Sequence, residues 1–456
     1  MPVDTSPASA LDHQTIELLQ ALIRNECVND GTPESGEEVR NADLLTGYLE
    51  GGGVTVERFA PIAGRSSVVA RIEGTDPTAP TLCLMGHTDV VPVSPDGWSR
   101  DPFGGELVRN ADGVDEVWGR GAIDMLNMTS TMAVAFKRLA AQGWRPRGTL
   151  IYFGVADEEA GGTYGAKWMV DEHWDAVGAE YVLTEMGGWP LGHHDPRRVW
   201  VTAAEKGIGW RRLRVGGTPG HGSMPHGADN ALVTAAEVVR RLTEFRPAAA
   251  IGEHWRNWVE TADVPDQVRA DLLDPERIWA GLETLPPKTA ARCHAMTHTT
   301  ISPNVAQGGQ KTNTIPDVVD LDLDIRTLPG VTDDDVDALL REILGELADR
   351  VEVSVQGPTR PSSSTPAGNP LWDALTSATQ VSYPGAALVP GLTSGGTDSP
   401  FFRAKGSIAY GAGIFSESVT YEMFASRFHG HDERIDVESL GLCADFWTHI
   451  AHQICD

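Results

Sequence analysis

The chain has 456 residues, enough for two sizeable domains, and an ordinary globular balance of 41% hydrophobic and 22% charged residues. Its 36 basic and 64 acidic side chains give a formal charge of −28, a field that repels phosphate backbones and anionic bilayers and excludes nucleic acid and membrane surfaces as expected partners. The five cysteines are scattered and odd in number, which fits a reducing compartment and argues against a disulfide scaffold or a Cys-rich zinc site.

The N-terminal MPVDTSPASALDHQ lacks a basic stretch followed by an apolar run, and no apolar segment approaches transmembrane length, so a cytoplasmic location is expected. LDHQTIELLQALIRN then has apolar residues at helical spacing, and EEVRNADLLTGYLEGGG reads as a helix stopped by glycines. Short apolar runs follow in SSVVARIEG, TLCLMGHTDVV, GTLIYFGVADEE and EYVLTEMGG, with the helix TSTMAVAFKRLAAQGW between the second and third. Strands alternating with helices predict an α/β domain with a mostly parallel sheet and helices on both faces. Ligands of such sheets collect beyond the carboxyl ends of the strands.

Near residue 208 the texture changes. GWRRLRVGGTPG reads as an exposed alternating strand and NALVTAAEVVRRLTEF as an amphipathic helix, while residues 246–300 look helical and irregular and carry Trp255, Trp258 and Trp279. In DVVDLDLDIRTLPG, Val319, Leu321, Leu323 and Ile325 alternate with Asp320, Asp322, Asp324 and Arg326, the pattern of a half-buried antiparallel strand. TDDDVDALLREILGELADR is the next helix, with Thr332 and Asp333 as cap candidates. The expected organisation is a discontinuous α/β domain over 1–207 and 329–456, with an α+β unit carrying an antiparallel sheet inserted over 208–328.

Several of these runs end in groups that bind metals. TLCLMGHTDVV closes with His87 and Asp89, which point to the same face of a strand, and Asp89 is the natural partner for the second ring nitrogen of a ligating His87. Asp124 in WGRGAIDM precedes a helix; alone it reads as a cap, but a carboxylate there can offer one oxygen to each of two metals. GTLIYFGVADEE ends in Asp157, Glu158 and Glu159, adjacent acids that invite a cation, one ligating while another accepts a proton. Glu185 closes EYVLTEMGG, and His429 and His431 lie far downstream in RFHGHDERI. Each piece alone has a bland reading as a turn, cap or surface imidazole. Together they place His, Asp or Glu at one strand end after another, and oxygen and imidazole donors without thiolates suit Zn²⁺, Mn²⁺ or Co²⁺.

GHTDVVPV, WGRGAIDM, ADEEAGG, GTPGHGSMPHGADNA, TNTIPD and DIRTLPG, in this order, closely resemble the co-catalytic zinc peptidase family that includes aminoacylase, acetylornithine deacetylase, succinyl-diaminopimelate desuccinylase, carboxypeptidase G and carboxypeptidase S. The resemblance runs from about Leu18 to the C-terminus. It implies two divalent ions per subunit, Zn²⁺ with Co²⁺ or Mn²⁺ as alternatives, held by His87 and Glu185 on one side, Glu159 and His429 on the other, and a bridging Asp124. His429 is preferred to His431 because it stands four residues before Glu433, as in the family pattern. Glu158 is implied as general base, Asp89 as the orienter of His87, and His221 as the residue that steadies the oxyanion in a partner subunit. Asn313 and Arg326 resemble the pair that grips the substrate carboxylate, with Gly395, Gly396 and Thr397 in a substrate loop. The insert is implied as a lid and dimerisation domain, and the protein as a homodimer.

Two departures are visible. Leu126 stands where the family often has Lys, and Pro400 where a basic residue is common, which points to a more apolar or uncommon substrate. Among the proteins the chain resembles, deacylases such as aminoacylase tend to carry Glu at the fourth strand end and many peptidases Asp, although carboxypeptidase S breaks the rule. By that resemblance Glu185 leans towards removal of an acyl group from an N-acyl-L-amino acid. A carboxypeptidase or dipeptidase is the alternative, then an acetylornithine deacetylase or desuccinylase. An inactive binding relative is set aside because no ligand or base is missing. The Trp-bearing 246–300 segment either encloses a bulky substrate group or packs as surface helices.

Overall fold

The computed structural model describes residues 10–192, 195–357 and 359–456, so most of the N-terminal stretch read for a leader lies outside the described residues. Two compact units emerge. One comprises the chain up to Ala203 with Thr365–Gly391 and Thr397–Asp456; the other comprises Ala204–Ser364 with Leu392–Gly396.

The first unit is built on one large sheet. Its strands are β1 (Thr55–Ile62), β2 (Arg65–Ile72), β3 (Thr81–His87), β4 (Thr149–Val155), β5 (Tyr181–Thr184), β6 (Arg198–Glu205) and β7 (Ile408–Gly411). They lie in the order β1-β2-β4-β3-β5-β7-β6, and Ala387–Thr393 also pairs with β6. The pairs β4–β3, β3–β5 and β5–β7 are parallel, whereas β1–β2, β2–β4 and β7–β6 are antiparallel. The expectation of a mostly parallel sheet is therefore corrected: the sheet is mixed, with a parallel centre and antiparallel flanks.

The physical reason lies in a short turn. Ile62 pairs with Arg65, leaving Ala63 and Gly64 to reverse the chain, and Gly64 supplies the positive φ of 86°. Two residues can close an antiparallel pair but never a parallel one. Apolar patterning missed β1 because none of its residues is buried on either face.

Helix Leu126–Ala141 is buried along most of its length and packs beside Val437–Cys455, where Trp447 Nε1 donates to Thr131 Oγ1 at 3.0 Å. Beneath the strands, Cys83, Met85, Ile151, Phe153, Val182 and Phe402 form a continuous core. Burying one such Phe or Met side chain contributes about 1.5–3 kcal/mol. No described helix is long and apolar enough to cross a membrane.

In the second unit, Thr300–Gly308, Val318–Thr327, Arg211–Gly216 and Val351–Val355 form an antiparallel sheet in that order. Val319, Leu321, Leu323 and Ile325 face a core completed by helices Ala231–Glu244 and Asp333–Leu344. On the other face Arg212 and Arg214 stand opposite Asp322 and Asp320 and pair with them at 2.6 and 2.8 Å, which pins the register. This unit extends past the expected boundary at 328. Val336, Leu340 and Ile343 find their apolar partners in the second sheet, and Val351–Val355 adds a strand to it, so residues 329–364 belong here and not with the first unit. Thr332 is the cap, in a reciprocal box with Asp335.

Residues 253–297 carry four helices. Trp255 and Trp258 stack at 5.0 Å and are buried, while Trp279 lies against His294 and His298. These tryptophans are engaged in packing within the segment itself.

Candidate metal centre

Three neighbouring parallel strands deliver their carboxyl ends to one place. β3 ends at His87, β4 runs into the turn Asp157–Glu159, and β5 is followed by Glu185. Gly86 is required because a Cβ there would collide with Thr129 of helix Leu126–Ala141, whose hydroxyl donates to the His87 carbonyl at 2.7 Å. A side chain at Gly411 would similarly strike the carbonyl of Glu185. Asp124 comes from the loop ahead of the helix, and His429 from a loop far down the chain, in a left-handed conformation with φ 53°.

Among the described residues, two groups of ligand atoms lie within 4.8 Å of one another: His87, Asp124 and Glu185, and Asp124, Glu159 and His429. Asp124 belongs to both. Its Oδ1 is 3.1 Å from His87 Nε2, and its Oδ2 is 2.8 Å from His429 Nε2. Glu185 Oε2 lies 3.8 Å from His87 Nε2, and Glu159 Oε2 lies 3.5 Å from His429 Nε2. One carboxylate thus faces two imidazoles with a different oxygen towards each. His431 belongs to neither group and sits over the Gly97 turn.

The charges in this cluster call for cations. Burial pushes the Glu159 carboxyl up to about 8, with the Asp124 carboxylate adding to the effect, and burial and Asp124 raise Glu185 well above the usual range. Burial alone would lower both histidines, but the facing carboxylates outweigh it: Asp124 and Glu185 hold His87 high, and Asp124 and Glu159 bring His429 to about 10. In the metal-free protein, both imidazoles and the Glu159 and Glu185 carboxyls are all shifted towards holding protons, around an Asp124 carboxylate that is held ionised. Glu159 Oε1 is buried and has no hydrogen-bond partner. An orphaned carboxylate oxygen, a hard N/O donor set and a carboxylate shared between two groups fit a pair of divalent ions.

The three adjacent acids separate into three environments. Asp157 (φ 68°) accepts from the backbone N–H of Tyr164 at 2.8 Å and lies 3.5 Å from Arg65, so it closes the turn. Glu159 belongs to the second ligand group. Glu158 is buried beside it, and its charge acts on both Glu159 and Glu185. Asp89 differs from expectation in one respect. His87 Nδ1 lies 2.9 Å from the Asp89 carbonyl oxygen, while the Asp89 carboxylate is 3.6 Å away. That carboxylate accepts instead from the backbone N–H groups of Glu158 (3.2 Å) and Glu159 (3.1 Å). The imidazole is oriented by main chain, and the acid side chain clamps the turn that carries Glu158 and Glu159.

The remaining predicted residues lie in the second unit, except Thr397, which begins the next segment of the first. His221 stands opposite Thr314 on a two-residue ladder, and the neighbouring Gly222 donates to the Asn313 carbonyl at 2.8 Å. The Ser223 N–H donates to His221 Nδ1 at 3.2 Å, so the proton of the neutral ring sits on Nε2. Arg326 is held by Asp324 at 2.8 Å and lies over the Trp210 ring, with its side chain 26% exposed. A Cβ at Gly396 would meet the Arg360 guanidinium. Leu126 is 1% exposed and Pro400 is buried in the first turn of Ser399–Ala404, so neither departure from the family pattern forms a site rim.

Sequence reasoning missed the supports. Glu433 is fully buried, accepts from the N–H groups of Ile123 (2.6 Å) and Asp124 (3.0 Å), and pairs with Arg120 at 2.6 Å. Asn29, Glu38 and Arg65 form a second buried network behind Asp89 and Asp157. An acid four residues after His429 was a usable signal for Glu433. None marked Asn29.

The model of Peptidase family M20/M25/M40 matches residues 83–453. The chain is 28% identical over 460 residues to the N-fatty-acyl-amino acid synthase/hydrolase PM20D1 of Xenopus tropicalis, covering 96% of this chain and 85% of that protein. It is 26% identical to human aminoacylase-1, with 98% and 96% covered. The fold is similar to that of an M20 family metallo-carboxypeptidase, Sso-CP2 from Sulfolobus solfataricus, with a TM-score of 0.69, 17% identity, and 98% and 99% of the two chains covered.

Proposed function

The chain belongs to Peptidase family M20/M25/M40 and is a hydrolase of amide or peptide bonds; from that premise we propose that it removes the acyl group from an N-acyl-L-amino acid. The observation that carries the reading is Asp124, which turns one carboxylate oxygen to each of two buried ligand groups. Similarity to aminoacylase-1 and to an N-fatty-acyl-amino acid synthase/hydrolase supports the acyl-amino-acid class, and the family resemblance adds the Glu, rather than Asp, that follows β5 at position 185.

His87 and Glu185 would hold one ion, Glu159 and His429 the other, and Asp124 both. Zn²⁺ is the proposed metal, with Co²⁺ or Mn²⁺ as alternatives. Bound there, divalent cations supply Lewis-acid polarisation of the amide carbonyl and lower the pKa of the attacking water. Glu158 accepts the proton of that water and returns it to the leaving nitrogen. The Asp89 carboxylate keeps Glu158 in place through the main chain. His221, with its proton on Nε2, is suited to donate to the oxyanion, and the family resemblance assigns it to a partner subunit's reaction. Arg326 and Asn313, with the loop of Gly395, Gly396 and Thr397, are assigned to the substrate carboxylate; a guanidinium presents the donor fork such a group needs.

A homodimer through the second unit is supported by the exposed edge strand Thr300–Gly308, with Val305 exposed on it, and by Leu232 and Val233 on the neighbouring helix. The five free, buried cysteines support a reducing, cytoplasmic setting. The test is a panel of N-acyl amino acids against dipeptides, assayed with Zn²⁺, Mn²⁺ and Co²⁺. Higher kcat/KM on the acyl amino acids supports the proposal, and a preference for dipeptides replaces it with a peptidase.

A further inference from the structure

Behind the Glu158–Glu159 turn lies a side chain that belongs to neither ligand group and was not among the expected site residues. Asn29 is 3% exposed and lies outside the residues matched by the family model. Its carboxamide orientation is fixed by groups that can only donate: Oδ1 accepts from the Gly31 N–H at 3.0 Å and from Arg65 at 3.1 Å. Nδ2 therefore faces the other way, where it donates to Asp89 Oδ2 at 2.8 Å and to Asp157 Oδ1 at 3.3 Å. One uncharged NH₂ thus gives a hydrogen to each of two buried carboxylates, one of them the clamp on Glu158 and Glu159 and the other the brace of the same turn. Arg65 is anchored in turn by Glu38 at 2.6 Å, and Glu38 Oε1 also accepts the Asp157 N–H at 3.2 Å.

We propose that Asn29 is a positioning residue of the reaction: its amide fixes the Asp89 carboxylate in the orientation from which that carboxylate holds the backbone of Glu158 and Glu159. The assignment rests on the proposed two-metal reading of the site. The chemistry selects an amide. Ala supplies no donor, so two close carboxylates lose the group between them. Ser can serve one acid at a time, and ionised Asp adds a third negative charge where a donor is needed. Because Glu159 belongs to one ligand group only, the loss acts unequally on the two metals.

The experiment uses the full chain as wild type and as Asn29→Ala, Asn29→Ser and Asn29→Asp. Each is titrated with Zn²⁺ by calorimetry, melted, and assayed on the best substrate of the panel. For Asn29→Ala, one metal equivalent is expected to weaken by about 10- to 100-fold while the other stays within about threefold, and kcat to fall over the same range with KM nearly unchanged. Asn29→Ser is expected between Ala and wild type, and keeps the test open if the Ala protein does not fold; Asn29→Asp is expected to lose most. A folded Ala or Ser variant with wild-type metal affinity and kcat overturns the proposal. Equal weakening of both equivalents in step with a lower Tm also overturns it, since that marks a merely structural role. If the wild type binds two equivalents and Asn29→Ala weakens one, but nothing in the panel is hydrolysed, the proposed activity fails and the role of Asn29 stands.

Discussion

Glu433 Oε1 accepts the backbone N–H of Asp124 at 3.0 Å, across 309 residues of chain. The other oxygen pairs with Arg120, which also reaches the His429 carbonyl at 3.4 Å, so one buried ion pair ties the loop of Asp124 to the loop of His429. Removing the carboxylate leaves a buried guanidinium unpaired, a loss of about 3–5 kcal/mol. Glu433→Ala is expected to lower stability by that order in urea denaturation. The isosteric Glu433→Gln should fold and bind metal about 10- to 100-fold more weakly. Wild-type metal affinity in Glu433→Gln would remove this residue from the support of the centre.

Glu158 is in neither ligand group, whereas its neighbour Glu159 is in one. Glu158→Ala is expected to cut kcat by about 10²- to 10⁴-fold while the bound metal stays near two equivalents per chain. Retained activity would take the base role away from it.

Protons and metal compete for the centre. In the metal-free protein His429 is raised to about 10 from 6.5 and Glu159 to about 8 from 4.5. Both folded values lie above the unfolded ones, so the stability each contributes is fully present below the unfolded value and is lost as pH rises to the folded one, from 4.5 to about 8 for Glu159 and from 6.5 to about 10 for His429. Tm of the metal-free protein is expected to fall across that window, and that of the loaded protein to fall less. Metal affinity should rise with pH and proton release should accompany binding, measured by calorimetry in buffers of different ionisation enthalpy. An unchanged Tm after chelation, or a stoichiometry near one in active protein, would sink the two-metal reading.

Arg326 is steadied by Asp324 and Trp210 and keeps part of its guanidinium accessible. A charge-assisted contact of this kind is worth about 1.5–3 kcal/mol, so Arg326→Ala is expected to raise KM by about 10- to 100-fold for substrates with a free carboxylate. An unchanged KM places the carboxylate clamp elsewhere.

His221→Ala is expected to be inactive alone, and to regain activity when mixed dimers are formed with a Glu158→Ala partner. In such a dimer one site has an intact base and an intact donated histidine. No recovery after verified subunit exchange would argue that each chain works with its own His221.

The sequence by itself determined which donor groups gather at the candidate centre. Apolar runs ending in His87, in Asp157–Glu159 and in Glu185 are local patterns, and strand polarity alone sends their ends to one edge of a parallel sheet. The alternation over Val318–Thr327 was equally legible, because a half-buried strand writes its period into its composition. The tertiary structure decided what depends on distant partners. Only there do the antiparallel flanks of the sheet emerge, since β1 is too exposed to carry an apolar signal. Only there do residues 329–364 join the second unit, because the apolar face of Asp333–Leu344 is the same in sequence whichever core it enters. The supports of the site belong to the same class. Asn29 acts on Asp89, and Glu433 on Asp124, through single hydrogen bonds across long stretches of chain, and a contact of that kind leaves no periodicity to read.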